Sequence, residues 1–154
     1  MEFDPKTFNV TEQRSFTGLK VGEVFRSPSR TVTEAHFAAF QMLSGDNHPI
    51  HYDIEYCKAR GLRGMLAHGF QVLCFSAAGA GTFPHIIGDA LIGFIEQSSK
   101  FLKGVYVGDT LYPALAITTL IPQRTTGIVV MASTIHNQNG DLVLTGEHKY
   151  LLKK

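Results

Sequence analysis

The second half of the chain alternates apolar and polar residues with a period of two, the pattern of strands with one buried face. It predicts four long strands, at residues 92–102, 110–121, 128–136 and 142–152. Asn139-Gly140 supplies a tight hairpin turn between the last two, and Val107-Gly108-Asp109 and residues 124–127 supply the other reversals. Pro113 cannot donate to a ladder, so it marks a bulge or an edge position. Ahead of this alternation, residues 69–81 are apolar on nearly every side, which predicts a long central helix enclosed by protein. Farther upstream, residues 23–32 read as a strand broken by Ser27-Pro28-Ser29. Thr33 is then the expected N-cap of a helix through Leu43, with Ala35, Ala38, Ala39, Met42 and Leu43 on one stripe. A second, short helix beginning near Asp53 carries Tyr56, Cys57 and Ala59 and ends at Gly61. Residues 1–20 hold Pro5, Asn9 and Gly18 without periodicity and are expected to wrap the surface as an arm. One buried helix followed by an antiparallel meander is an α+β arrangement, with the sheet curled around the helix.

Composition narrows the class. A chain of 154 residues that is 44% hydrophobic fits one domain, 1–154, with a core that needs no metal or disulfide. Net charge is +1 and the cations are scattered, so the basic stripe of a nucleic-acid binder is missing. The apolar run at 69–81 is too short and too interrupted to span a membrane. Cys57 and Cys74 fall in apolar helical segments, where core packing is the expected role, and no secretory leader precedes them; a cytoplasmic protein with reduced thiols is expected.

The chemistry concentrates in Ser44-Gly45-Asp46-Asn47-His48-Pro49-Ile50-His51. In an extended chain Asp46 and His51 would diverge by roughly 17 Å, so acting on one water requires a bend. Gly45 and Pro49 supply it. A carboxylate beside an imidazole titrating near neutrality is what adding or removing water requires. Downstream, His68-Gly69 opens the apolar segment, and a first-turn amide at Gly69 would point at whatever lies beside it. Asp46 could instead cap a turn, and His51 could be a structural histidine; their spacing and the later His68-Gly69 favour catalysis. His68 is expected to hold the turn into the helix, and Ser44 to order the loop rather than attack a substrate. His48, His51, His68 and His85 invite a zinc site, but their spacing matches no familiar ligand motif, so no metal is expected.

The run from Leu43 through Gly69 resembles the signature of the MaoC-like dehydratases and (R)-specific enoyl-CoA hydratases. Ser44, Gly45, Asp46, Pro49, Ile50, His51, His68 and Gly69 match it in order and spacing, while His48 stands where the family has Asn. The resemblance implies a hot-dog fold, two protomers with paired sheets, and hydration or dehydration of an enoyl thioester. Asp46 and His51 would activate one water for addition at C3, and the Gly69 amide would polarise the thioester carbonyl. The substrate would be an acyl-CoA with no further cofactor, its acyl chain along Phe70, Leu73 and Ala77, with Ser44, His48 and His68 lining the polar part of the site. Arg60, Arg63, Lys100, Lys103 and Arg124 are the cations available to CoA phosphates. Two competing functions are a hot-dog acyl-CoA thioesterase and a non-catalytic acyl-thioester binder. The first is disfavoured because residues 65–81 contain no Asp or Glu, the second because the Asp46/His51 pair is intact.

Overall fold

Ser27-Pro28-Ser29 splits the first extended segment into β1 (Val24–Arg26) and β2 (Arg30–Thr31) in the computed structural model, which describes residues 4–154. Helix α1 (Glu34–Ser44) follows, then α2 (Pro49–Tyr52) and α3 (Ile54–Ala59). Helix α4 (Gly69–Cys74) and α5 (Phe83–Ile87) lead into the long strands β3 (Leu91–Phe101), β4 (Thr110–Pro122), β5 (Thr126–His136) and β6 (Leu142–Lys153). The strands form one antiparallel sheet in the order β1-β4-β5-β6-β3, with β2 also on β4. The four long strands lie within two residues of the positions that alternation predicts. Pro113 falls between the stretches of β4 paired to β1 and to β2, a local edge where its missing N–H costs nothing; the bulge in β4 lies farther on, between Ile117 and Thr119.

Inward-facing side chains build two adjoining core clusters. One gathers Phe25, Phe83, Ile117, Met131, Tyr150 and Leu152; the other gathers Phe37, Val72, Phe75, Leu111, Ile135 and Leu144. Gly146 is required where β6 passes β3, because a Cβ there would collide with the backbone of Ser98.

Several expectations need correction. The central helix ends at Cys74 rather than at residue 81: the Ser76 hydroxyl donates to the Leu73 carbonyl at 2.7 Å, and Ala77 turns extended, with a single 3₁₀ turn at Ala78–Ala80. Nor is it enclosed all round. Its buried side carries Gln71, Val72 and Phe75, whereas Phe70 and Cys74 are exposed, so Cys74 is not a core thiol; Cys57 is buried. Helix α1 is turned opposite to its alanine stripe: Phe37 is buried, while Ala35, Ala38, Ala39, Met42 and Leu43 face outward. One phenylalanine removes more apolar area from water than several alanines, and it sets the rotation. The N-terminal segment does more than wrap the surface, since Phe16 and Leu19 are buried in the first core cluster; its residues 1–3 lie outside the described residues.

Candidate active site

Gly45 ends α1 in the left-handed conformation, φ 69°, which a side chain would resist. The chain therefore reverses at once, and Ser44 locks the reversal by donating to the Phe40 carbonyl at 2.7 Å while accepting from the Asp46 amide at 3.2 Å. The motif is not a simple loop beyond this point. His48 becomes the N-cap of α2, its Nδ1 accepting from the Ile50 amide at 3.3 Å, and Pro49 occupies the first helical position, where its missing donor is harmless. One turn of helix then swings His51 back toward Asp46.

Asp46 is about half exposed, at 48% of its side chain, and its Oδ1 accepts from the His48 amide at 3.1 Å. That bond, followed by the charges of the neighbouring histidines, holds its carboxyl below the usual carboxylate range. His51 Nδ1 lies 2.5 Å from the Leu66 carbonyl, which can only accept, so Nδ1 carries the proton and Nε2 is the free lone pair. Burial pushes the His51 imidazole down from its ordinary value against the pull of Leu66, with the nearby His68 adding to the fall.

His68 is the N-cap of α4 and is almost fully buried. Its ring stacks on that of His51 with centroids 3.6 Å apart, and its Nε2 lies 3.3 Å from the Tyr52 hydroxyl and 3.6 Å from Asp46 Oδ2. Asp46, His51 and His68 each present one ligand atom within 4.8 Å of the others. His48 and His85 stand outside this group, which is compact enough for a shared water and, by its chemistry, for a divalent cation. The turn-holding role expected of His68 is present and shared: in a reciprocal capping box the His68 side chain accepts from the Gln71 amide, while Gln71 Oε1 accepts from the His68 amide at 3.3 Å. His68 itself faces Asp46. Beside it a groove of about 340 Å³ runs past Leu66, Gly69, Phe101 and Lys103, and Gly69 begins α4 on its wall. A Cβ on Gly69 would meet the Phe101 ring at 3.0 Å, so glycine is what lets that ring pack close against the start of α4.

Comparison with known proteins assigns the family and the fold. Residues 17–139 match the MaoC like domain. The chain belongs to the MaoC-like dehydratase family. An (R)-specific enoyl-CoA hydratase of Rhodospirillum rubrum is 30% identical over 132 residues, spanning 86% of this chain and 87% of the relative. The unliganded R-hydratase of Pseudomonas aeruginosa superposes with a TM-score of 0.77 at 25% identity, covering 91% of this chain and 86% of that one. A double-hotdog protein of Mycobacterium tuberculosis superposes with a TM-score of 0.76 at 27% identity, over 92% of this chain and 44% of that one. The fold is the hot-dog.

Within this MaoC-like domain the residues expected to line an acyl chain scatter. Phe70 points to solvent, Leu73 packs against the second core cluster, and Ala77 lies exposed past the end of α4, on a cavity it shares with His148 and Tyr150. The end of the helix at Cys74 takes Ala77 out of the row, while Phe70 and Leu73, both within α4, differ because the core covers only the Leu73 side. His48 is exposed and packs edge-on to Tyr56 and His51. Among the cations, Lys103 lines the groove and pairs with Asp141 at 2.5 Å, Arg63 is tied to the buried Asp109, and Arg60 lies over Tyr56 at 3.6 Å. Lys100 and Arg124 are exposed on β3 and on the β4–β5 turn. Tyr52 and Gln71 were not singled out by the sequence. The only trace of Gln71 was its place three residues after His68, the spacing of a capping box.

Proposed function

We propose that this protein adds water to the double bond of a trans-2-enoyl-CoA, with (R) stereochemistry, and catalyses the reverse dehydration. The observation that carries the reading is the convergence of Asp46, His51 and His68 beside a groove with Gly69, the first residue of α4, on its wall. A water donating to the Asp46 carboxylate and to His51 Nε2 is held by two acceptors. Its oxygen attacks C3, one proton passes to the site, and one proton is delivered to C2, so H and OH are both added. Negative charge accumulating on the thioester oxygen is met by the Gly69 amide, which as the first of α4 has no acceptor within its helix. The Lys103 side of the groove receives the pantetheine and phosphates of CoA.

Crotonyl-CoA supplies the test. Hydration consumes the enoyl absorbance without releasing thiol. Thiol release would instead identify a thioesterase, a reading weakened by the lack of a carboxylate in residues 65–81. Binding with neither change would identify a non-catalytic acyl-thioester binder.

The protein acts as a homodimer. Strand β3 is a long free edge carrying exposed Ile92, Phe94 and Ile95, a surface that an isolated chain would offer to any other strand. A second copy paired at this edge covers it.

A further inference from the structure

A second cleft, of about 220 Å³ and with no lining residue in common with the Gly69 groove, opens between α1 and α4. Its apolar walls include Phe40, Leu43 and Cys74, and Phe40 packs on the His68 ring at 4.7 Å, so the cleft shares a wall with the catalytic group. Its polar lining consists of three donors. Gln71 is 3% exposed, and because its Oε1 is the atom that accepts from the His68 amide, its Nε2 is a donor; that Nε2 has no hydrogen-bond partner among the described residues. His36 Nδ1 accepts from the Thr33 amide at 2.9 Å, which in the neutral ring leaves Nε2 as N–H. Arg30 lies over the Phe75 ring, donates to the Phe75 carbonyl at 3.4 Å, and forms no ion pair with any described residue. No carboxylate lines the cleft.

From this lining we infer that the cleft takes the far end of the substrate's acyl group, and that this end carries a carboxylate. The inference rests on the enoyl-CoA reading above and names its substrate class: a short enoyl chain with a terminal acid group. A buried amide donor without a partner is costly, and an incoming oxygen removes that cost. A carboxylate has lone pairs enough for Gln71, His36 and Arg30 together. Helical geometry puts Gly69 and Cys74 about 7.5 Å apart along the axis and about 140° apart around it, so an acyl group reaching from one to the other passes round the start of α4 over a short axial distance.

The experiment compares two saturated, unreactive thioesters by calorimetry: glutaryl-CoA, with a terminal carboxylate, and 5-methylhexanoyl-CoA, its branched neutral isostere. Glutaryl-CoA is expected to bind at least about tenfold more tightly, the least that one charge-assisted hydrogen bond should give. Arg30→Met is expected to abolish most of that preference while leaving crotonyl-CoA hydration unchanged. Leu43→Glu, at an exposed position on the cleft rim, should weaken glutaryl-CoA selectively and serves if Arg30→Met does not fold. Equal or tighter binding of the neutral isostere, or a carboxylate preference untouched by both variants, would overturn the inference. A carboxylate preference without hydration of crotonyl-CoA or glutaconyl-CoA would leave the cleft assignment standing and remove the proposed reaction instead.

Discussion

Removing the Gly69 amide isolates the contribution of a backbone group that no side-chain deletion can reach. Proline fits the position: Gly69 is the first residue of α4, and His68 before it has ψ 144°, the extended conformation that a following proline demands. The comparison with alanine requires care, because the alanine methyl would meet the Phe101 ring at 3.0 Å. Phe101 is half exposed, so Phe101→Ala clears the space at little cost to the core, and both substitutions belong in that background. There, Gly69→Ala keeps the N–H and is expected to turn over within a few-fold of the Phe101→Ala parent. Gly69→Pro loses an oxyanion donor worth about 3–4 kcal/mol, a fall of about 10²–10³ in kcat. Crotonyl-CoA hydration, followed by loss of enoyl absorbance, gives the rates; circular dichroism and glutaryl-CoA binding establish that both variants fold and bind. Equal turnover by the Pro and Ala variants would refute the role of this amide.

Asp46→Asn and His51→Ala should each abolish hydration with the fold retained, since each removes a proton-transfer group and little apolar contact, the His51 variant at a lower thermal midpoint because it also loses the Leu66 hydrogen bond and the His68 stack; near-parental turnover by either would end the assignment. Because burial lowers the His51 imidazole, kcat/KM should hold steady down through pH 6.5 and fall only below it, and a midpoint at or above 6.5 would contradict the neutral-base role. Stability should follow the same sign. His51 and His148 are both held neutral by burial, so the unfolded chain takes up more protons below pH 6.5, and urea midpoints should be flat above that pH and decline beneath it. EDTA should leave the rate unchanged; a loss restored by zinc would make the Asp46/His51/His68 group a metal centre. Sedimentation should give a multiple of 16.9 kDa, shifted toward the single chain by Ile92→Lys on the β3 edge, and a monomer at micromolar concentration in the parent would count against pairing.

Strands β4, β5 and β6 were legible because each keeps one face in the core, so alternation survives in the residues themselves; β3 has no buried residue and was legible from its composition and its turn boundaries. Gly45, Pro49 and Asp53 were legible for another reason: left-handed turns, first-turn prolines and caps are local devices. The rotation of α1 was not, since five small or flexible apolar residues outnumber Phe37 in any periodic count and only the packing partner decides which face wins. The end of α4 depended on the Ser76 hydroxyl turning back onto Leu73, a choice serine makes in some helices and not others. His68 was legible as a turn residue because its capping box with Gln71 is local, whereas its other partners arrive from elsewhere, His51 across the stack and Asp46 from the preceding loop. The donors of the α1–α4 cleft come from β2, α1 and α4, and no spacing rule joins them.

The His51 and His68 rings lie face to face at 3.6 Å, and that neighbour adds to the cost of placing a proton on His51, whose imidazole burial already lowers. Under the proposed hydration, a proton that His51 takes from the water is therefore one it gives up readily. Its delivery to C2 would return the ring to the neutral state from which the next addition begins.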